Sequence, residues 1–132
     1  MHAGHVLVVE DDDAIRRLLV EYLQVRSDLR VDSARDGAEA LHRVKYRRYD
    51  VIVLDLLMPY MSGVDFLSSL HVLNIGSDDE PPAVFIVTGA SQSDVPAEAL
   101  EQNFRRFVRG VFRKPLDFVM LARCVEQALL PR

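Results

Sequence analysis

Five side chains in this sequence have the types and the placement to do chemistry together: Glu10, Asp11, Asp55, Thr88 and Lys114. Each lies where a short apolar run stops. Val6-Leu7-Val8-Val9 runs into Glu10 and Asp11, Val51-Ile52-Val53-Leu54 into Asp55, Val84-Phe85-Ile86-Val87 into Thr88, and Gly110-Val111-Phe112-Arg113 into Lys114. Three carboxylates drawn into one cleft repel one another, and without help at least one pKa must rise. A divalent cation removes the conflict. Mg2+ suits such a site, because it takes oxygen ligands, keeps several waters and pairs one or two carboxylates with a phosphate. In this reading Asp11 and Asp55 are direct ligands and Glu10 reaches the ion through water. A backbone carbonyl just after Asp55, that of Leu57, completes the set. Lys114 adds a positive charge beside Asp55, and Thr88 adds a hydroxyl donor.

Such a set accepts a phosphoryl group. A carboxylate can take one as an acyl phosphate, and the cation and Lys114 stabilise the charge that spreads over the transferred oxygens. Thr88 can donate to a phosphoryl oxygen only in the modified state, which supplies the differential interaction a two-state switch requires. The plainer reading of Asp55, an acid that ends a strand and caps the next helix, is the common one for a lone Asp. It loses weight here because the other strand exits supply partners.

The elements that must position these groups follow from the apolar pattern. His5–Val9 and Val51–Leu54 are β-branched runs short enough for buried strands, the second closed by Met58-Pro59. Ala83–Val87 is a third such run, Leu29–Ser33 a weaker strand, and Gly110–Arg113 a short one. Between them lie helical spacings. Ile15, Leu18, Leu19, Tyr22 and Leu23 form one face, with Asp12 or Asp13 as cap. Ala38, Leu41 and Val44 form the next, after the Asp36-Gly37 turn signal. Val64, Leu67, Leu70 and Leu73 follow Ser62-Gly63. A fourth helix spans Pro96 to about Arg106, with Ala97, Leu100 and Phe104 inward. The last runs from about Asp117 to Leu130 on Phe118 or Val119, Leu121, Val125, Ala128 and Leu129. Strand and helix alternate five times, which predicts an α/β fold: a doubly wound parallel sheet with helices on both faces. In such a sheet the strand exits meet at one edge, where ligands bind.

Composition narrows the function. The 132 residues fit one domain, read as spanning 1–132, and an apolar share of 49% allows a real core. A net charge of −4 gives no sign of nucleic acid or an anionic membrane as a partner. The one cysteine, Cys124, falls in an apolar helical pattern and reads as a small buried hydrophobe. A reducing, cytoplasmic setting fits. No apolar run is long enough to span a membrane.

Val8-Val9-Glu10-Asp11-Asp12, Asp55-Leu56-Leu57-Met58-Pro59 with Gly63, Thr88-Gly89 and Lys114-Pro115 together resemble the receiver domain of bacterial two-component response regulators. The match covers nearly the whole chain and keeps the order. The resemblance implies a flavodoxin-like five-stranded parallel sheet in the order 2-1-3-4-5 flanked by five helices. It implies a phosphoryl donor that is a histidine kinase or a histidine phosphotransfer protein, with Asp55 as acceptor, Glu10 and Asp11 holding magnesium, Thr88 as the switch hydroxyl and Lys114 as the phosphate-pairing amine. The Lys114-Pro115 bond resembles one that is usually cis in the family. Signals would pass to a downstream protein or an output domain through the fourth helix, fifth strand and fifth helix. The resemblance is also compatible with a homodimer. It implies a switch rather than an enzyme, one that catalyses only its own phosphorylation and dephosphorylation.

The sequence departs from the family pattern in places. Where the family often has an aromatic residue three positions before the lysine stands Val111, with Phe112 next to it and read as core. The stretch from Thr88 to Lys114 is longer than usual and carries Arg105, Arg106, Arg109 and Arg113. Leu57 and Ala90 occupy places that influence attack of water on the acyl phosphate, and neither is polar, so a slowly decaying phosphorylated state is expected. Two other readings stand beside this one. A phosphatase of the haloacid dehalogenase class would use the Asp11-Asp12-Asp13 run but needs a second acidic pair late in the chain, which strand exits four and five lack. A pseudo-receiver would use the fold only for docking, against which the complete acid, hydroxyl and lysine set argues.

Overall fold

The structure, a computed structural model, describes residues 4–25, 29–56, 61–74, 80–89 and 97–130. Strands and helices alternate: β1 (His5–Val9), α1 (Asp13–Gln24), β2 (Arg30–Ala34), α2 (Gly37–Tyr46), β3 (Val51–Asp55), α3 (Gly63–Asn74), β4 (Ala83–Thr88), α4 (Ala97–Asn103), β5 (Val108–Arg113) and α5 (Phe118–Ala128). All four strand pairings are parallel, and the sheet order is β2-β1-β3-β4-β5. This is the predicted doubly wound topology.

The two faces of the sheet follow from the two-residue period of a strand. Val6 and Val8 of β1, Val51 and Val53 of β3, and Phe85 and Val87 of β4 pack with Leu19 and Leu23 of α1 and Leu121, Ala122 and Val125 of α5. Leu7, Val9, Ile52, Leu54, Val84 and Ile86 point the other way, onto Phe66, Leu67 and Leu70 of α3, Ala40 of α2, and Leu100 and Phe107. Because both faces are covered, β3 and β4 are buried along their whole length.

Helix starts are fixed by short polar side chains. Asp12 caps α1, accepting from the Ile15 amide at 3.0 Å. Asp36 caps α2 through the Glu39 amide at 2.8 Å, and Asp117 caps α5 through the Met120 amide at 3.1 Å.

Several expected inward positions differ. Ala38, Leu73 and Ala128 are exposed, while Ala40, Phe66 and Ala122 take the buried places. Leu18 is exposed as well, and Phe118 rather than Val119 faces inward. The fourth helix is shorter than predicted: α4 ends at Asn103, and a turn follows in which the Phe107 and Val108 amides both donate to the Phe104 carbonyl. That turn buries Phe107. Strand β5 starts earlier than expected, at Val108. Its register against β4 shifts between Val84↔Val108 and Phe85↔Gly110, so Arg109 is the extra residue of a bulge.

Candidate functional site

The carboxyl ends of β1, β3, β4 and β5 meet at one edge of the sheet and bring the predicted residues together. Asp55 is the last residue of β3 and Thr88 the last of β4; Glu10 follows β1 and Lys114 follows β5. Glu10, Asp55 and Thr88 are each only 3% exposed, whereas Asp11 faces solvent. One carboxylate oxygen from each of Glu10, Asp11 and Asp55 lies within 4.8 Å of the others. The Lys114 Nζ is 3.4 Å from Glu10 Oε1 and 3.6 Å from Asp55 Oδ2.

The electrostatics follow from burial and crowding. The Glu10 carboxyl is pushed up to about 8 by burial, by its hydrogen bond with Asp55 and by the Asp55 charge, and the Asp12 amide only partly offsets this. A carboxylate pair sharing one proton is what charge repulsion in a dry cleft produces. Burial pulls the Lys114 ammonium down, but the Asp55 and Glu10 charges together outweigh it and the net shift is upward. Lys114 is therefore a cation at every pH of interest.

The local backbone explains why these groups converge. The Glu10 amide donates to the Ala34 carbonyl at 3.1 Å, and the Lys114 amide to the Thr88 carbonyl at 2.9 Å, so each strand exit is tied to its neighbour. The Leu56 amide donates to Val87, and the Gly63 amide to the Leu56 carbonyl at 3.0 Å, bringing the start of α3 against the Asp55 exit. Only glycine fits at position 63: a Cβ there would stand 2.8 Å from Leu56 Cα and 3.0 Å from the Asp55 carbonyl oxygen. The Lys114-Pro115 peptide bond is cis, as the resemblance implies.

Two supporting residues are not evident from the sequence. Arg16, placed among the outward residues of α1, turns back to donate to the Glu10 carbonyl at 3.0 Å and also pairs with Asp13. The Asp12 amide donates to Glu10 Oε2 at 3.2 Å. Helical spacing puts Arg16 beside Asp12 and Asp13, but nothing in it says that the loop carbonyl is within reach. Leu57 and Ala90 lie outside the described residues.

Val111 packs on the α2–α4 side of the sheet, and Phe112 on the α1–α5 side. The Phe112 ring meets Phe85 edge-on, with centroids 6.1 Å apart. Phe112 is thus core, and successive strand residues point to opposite faces, so it cannot take the place of an aromatic at Val111.

The model of the response regulator receiver domain matches residues 6–125. The chain belongs to that family. Its receiver fold is also that of solved structures: the receiver domain of the Francisella response regulator 1452, with a TM-score of 0.77 and 26% identity over 95% of each chain, and the Vibrio cholerae chemotaxis protein CheY4, with a TM-score of 0.76 and 26% identity over 97% of this chain and 100% of that one. A curated relative, the protein-glutamate methylesterase/protein-glutamine glutaminase of Bacillus licheniformis, is 35% identical over 105 residues. These are 78% of this chain, which spans only 28% of that relative. The receiver family works in two-component phosphoacceptor signalling. Among the described residues, no helix is long and apolar enough to cross a membrane.

Proposed function

We propose that Asp55 is the phosphoacceptor of this receiver, that Glu10, Asp11 and Asp55 hold Mg2+ with the Leu57 carbonyl, and that Lys114 and Thr88 act on the transferred phosphoryl group. The observation that carries this is the contact of one ammonium, Lys114, with two buried carboxylates at 3.4 and 3.6 Å. The acid cluster fits the ion. Ligand oxygens on opposite sides of Mg2+ stand about 4.2 Å apart, and the three carboxylates already lie within 4.8 Å of one another. An acid held protonated by its neighbours is also what a cation would relieve. Bound there, Mg2+ supplies positive charge against the oxygens of the transferred group.

The chain's own residues do the rest. An Asp55 oxygen attacks phosphorus in a phosphohistidine of a histidine kinase or phosphotransfer protein. The P–N bond breaks with its electron pair left on the imidazole, and an O–P bond forms, giving an aspartyl phosphate. Lys114 keeps a partner throughout, first the Asp55 carboxylate and then the phosphoryl oxygens. Among the described residues the Thr88 hydroxyl donates to the Gly89 carbonyl, at 3.3 Å. That is long for an O–H···O bond, whose usual distance is about 2.7–2.8 Å. A buried hydroxyl so weakly held turns readily to a phosphoryl oxygen, which exists only in the modified state and so biases the switch. The change passes through α4, β5 and α5 to a downstream protein or an output domain. The chain is a switch and not an enzyme acting on other substrates.

The test is intact-mass measurement after incubation with acetyl phosphate. One phosphoryl adduct in the presence of Mg2+, lost when EDTA is added first, supports the reading. No adduct with or without Mg2+, together with no Mg2+ binding by calorimetry, would leave a docking module.

A further inference from the structure

At the opposite end of the sheet from Asp55, the last turn of α2 stands over β2 and the approach to β3. A cavity of about 350 Å3 lies there, lined by Asp32, His42, Arg43, Tyr46, Arg47 and Tyr49. Its volume falls at the lower end of small-molecule sites, about 300–1,000 Å3. It is separate from the acidic cleft, since Tyr49 precedes β3, whose run from Val51 to Asp55 alone spans roughly 13 Å.

The charges on its walls are not equivalent. Asp32 is already engaged, accepting from the Tyr49 hydroxyl at 2.6 Å and from Arg47 at 3.4 Å. Burial and the Asp32 contact push the Tyr49 hydroxyl up to about 12, so it stays a donor. Arg43 is different: its Nε is buried and has no hydrogen-bond partner among the described residues. Leaving a buried donor of a charged group unpaired is costly, and such a group asks for an explanation. The cavity beside Arg43 gives its guanidinium room to turn toward an acceptor. Basic residues in the last turn of a helix ordinarily complement its dipole. That accounts for the presence of Arg43 and Lys45, but not for the unpaired nitrogen or for the cavity.

The rim carries an exposed aromatic ring. Tyr46 is 79% exposed, and its ring centroid lies 5.0 Å from that of His42. An exposed aromatic beside cations stacks a planar heterocycle while the cations take its anion. We propose that this cavity binds a mononucleotide-class ligand, with the heterocycle against Tyr46 and the phosphate on Arg43 and Arg47.

The experiment titrates the full chain with AMP and, separately, with inorganic phosphate. EDTA is present throughout, so that no metal holds phosphate in the acidic cleft. Binding is read by calorimetry and by the NMR shifts of the Tyr and His ring protons. AMP is expected to saturate with a Kd below about 1 mM, and phosphate to bind at least about tenfold more weakly. Tyr46→Ser, at an exposed position, should weaken AMP binding about fivefold or more with thermal unfolding unchanged. Arg43→Gln should abolish saturable binding, while Asp55→Asn should bind AMP like the parent. No saturable response to AMP by about 1 mM overturns the proposal. Phosphate binding as tight as AMP overturns the nucleotide assignment. AMP binding that neither Tyr46→Ser nor Arg43→Gln weakens puts the ligand elsewhere and overturns it equally.

Discussion

The ammonium of Lys114 stands 3.6 Å from the Asp55 carboxylate although their strands do not pair: β4 lies between β3 and β5. Thr88 ends the intervening strand, and its carbonyl accepts the Lys114 amide at 2.9 Å. Removing the amine should therefore affect acid, hydroxyl and phosphate together. Lys114→Gln is expected to slow labelling by acetyl phosphate by about tenfold or more, corresponding to about 1.4 kcal/mol of barrier. Mg2+ binding should persist, because the three carboxylates remain. A stopped labelling time course read by intact mass checks this.

The metal-free chain should lose stability as pH rises. The Glu10 carboxyl titrates at about 8 when folded, against its ordinary value of 4.5. Between these values the folded chain holds a proton that the unfolded chain has released, so stability falls as pH increases across that window. Urea unfolding in EDTA at pH 5 and pH 8 should show the fall, and Glu10→Gln should show a smaller one. Over the same window Mg2+ affinity should rise with pH, because the Glu10 proton must leave before the ion is bound.

Position 63 tests the geometry that brings α3 against the Asp55 exit. A Cβ there meets backbone atoms, Leu56 Cα and the Asp55 carbonyl oxygen, rather than the end of a flexible side chain. Gly63→Ala should cost about 1–3 kcal/mol of stability and slow labelling, since the Asp55 backbone must move. Chemical denaturation and the labelling assay read the two effects separately.

Core and site can be separated from each other. Phe66 is fully buried between α3 and the sheet. Phe66→Ala should cost about 3–5 kcal/mol by denaturation while folded protein still labels at Asp55. Leu57 and Ala90, both apolar in the sequence, give a further expectation: the aspartyl phosphate should decay more slowly in the parent than in a variant with polar residues at both places, as followed by intact mass after removing the donor.

How far the sequence speaks depends on burial. β1, β3 and β4 are legible because β-branched apolar runs end abruptly in polar residues, and those same endings mark Glu10, Asp55 and Thr88. The edge strands are less so. β2 is only half-buried and begins one residue later than its pattern suggests, at Arg30. β5 carries Arg109 in its bulge, which hides the strand start at Val108. Helical spacing names the right helices but misassigns positions near their ends, where the neighbouring element stops. Leu73 and Ala128 fit the period yet are exposed. Phe107 lies past the end of α4, where no period applies. Arg16 shows the limit at the site, since its contact with the Glu10 carbonyl depends on the path of a loop.

The most direct test maps the phosphoryl group to its residue. The chain is labelled with acetyl phosphate and Mg2+, the acyl phosphate is reduced with borohydride, and the digested peptides are sequenced by mass spectrometry. The expected result is homoserine at position 55 alone, with no reduction product in Asp55→Asn. Homoserine at position 11, 12 or 13 with position 55 unchanged would contradict Asp55 as the acceptor.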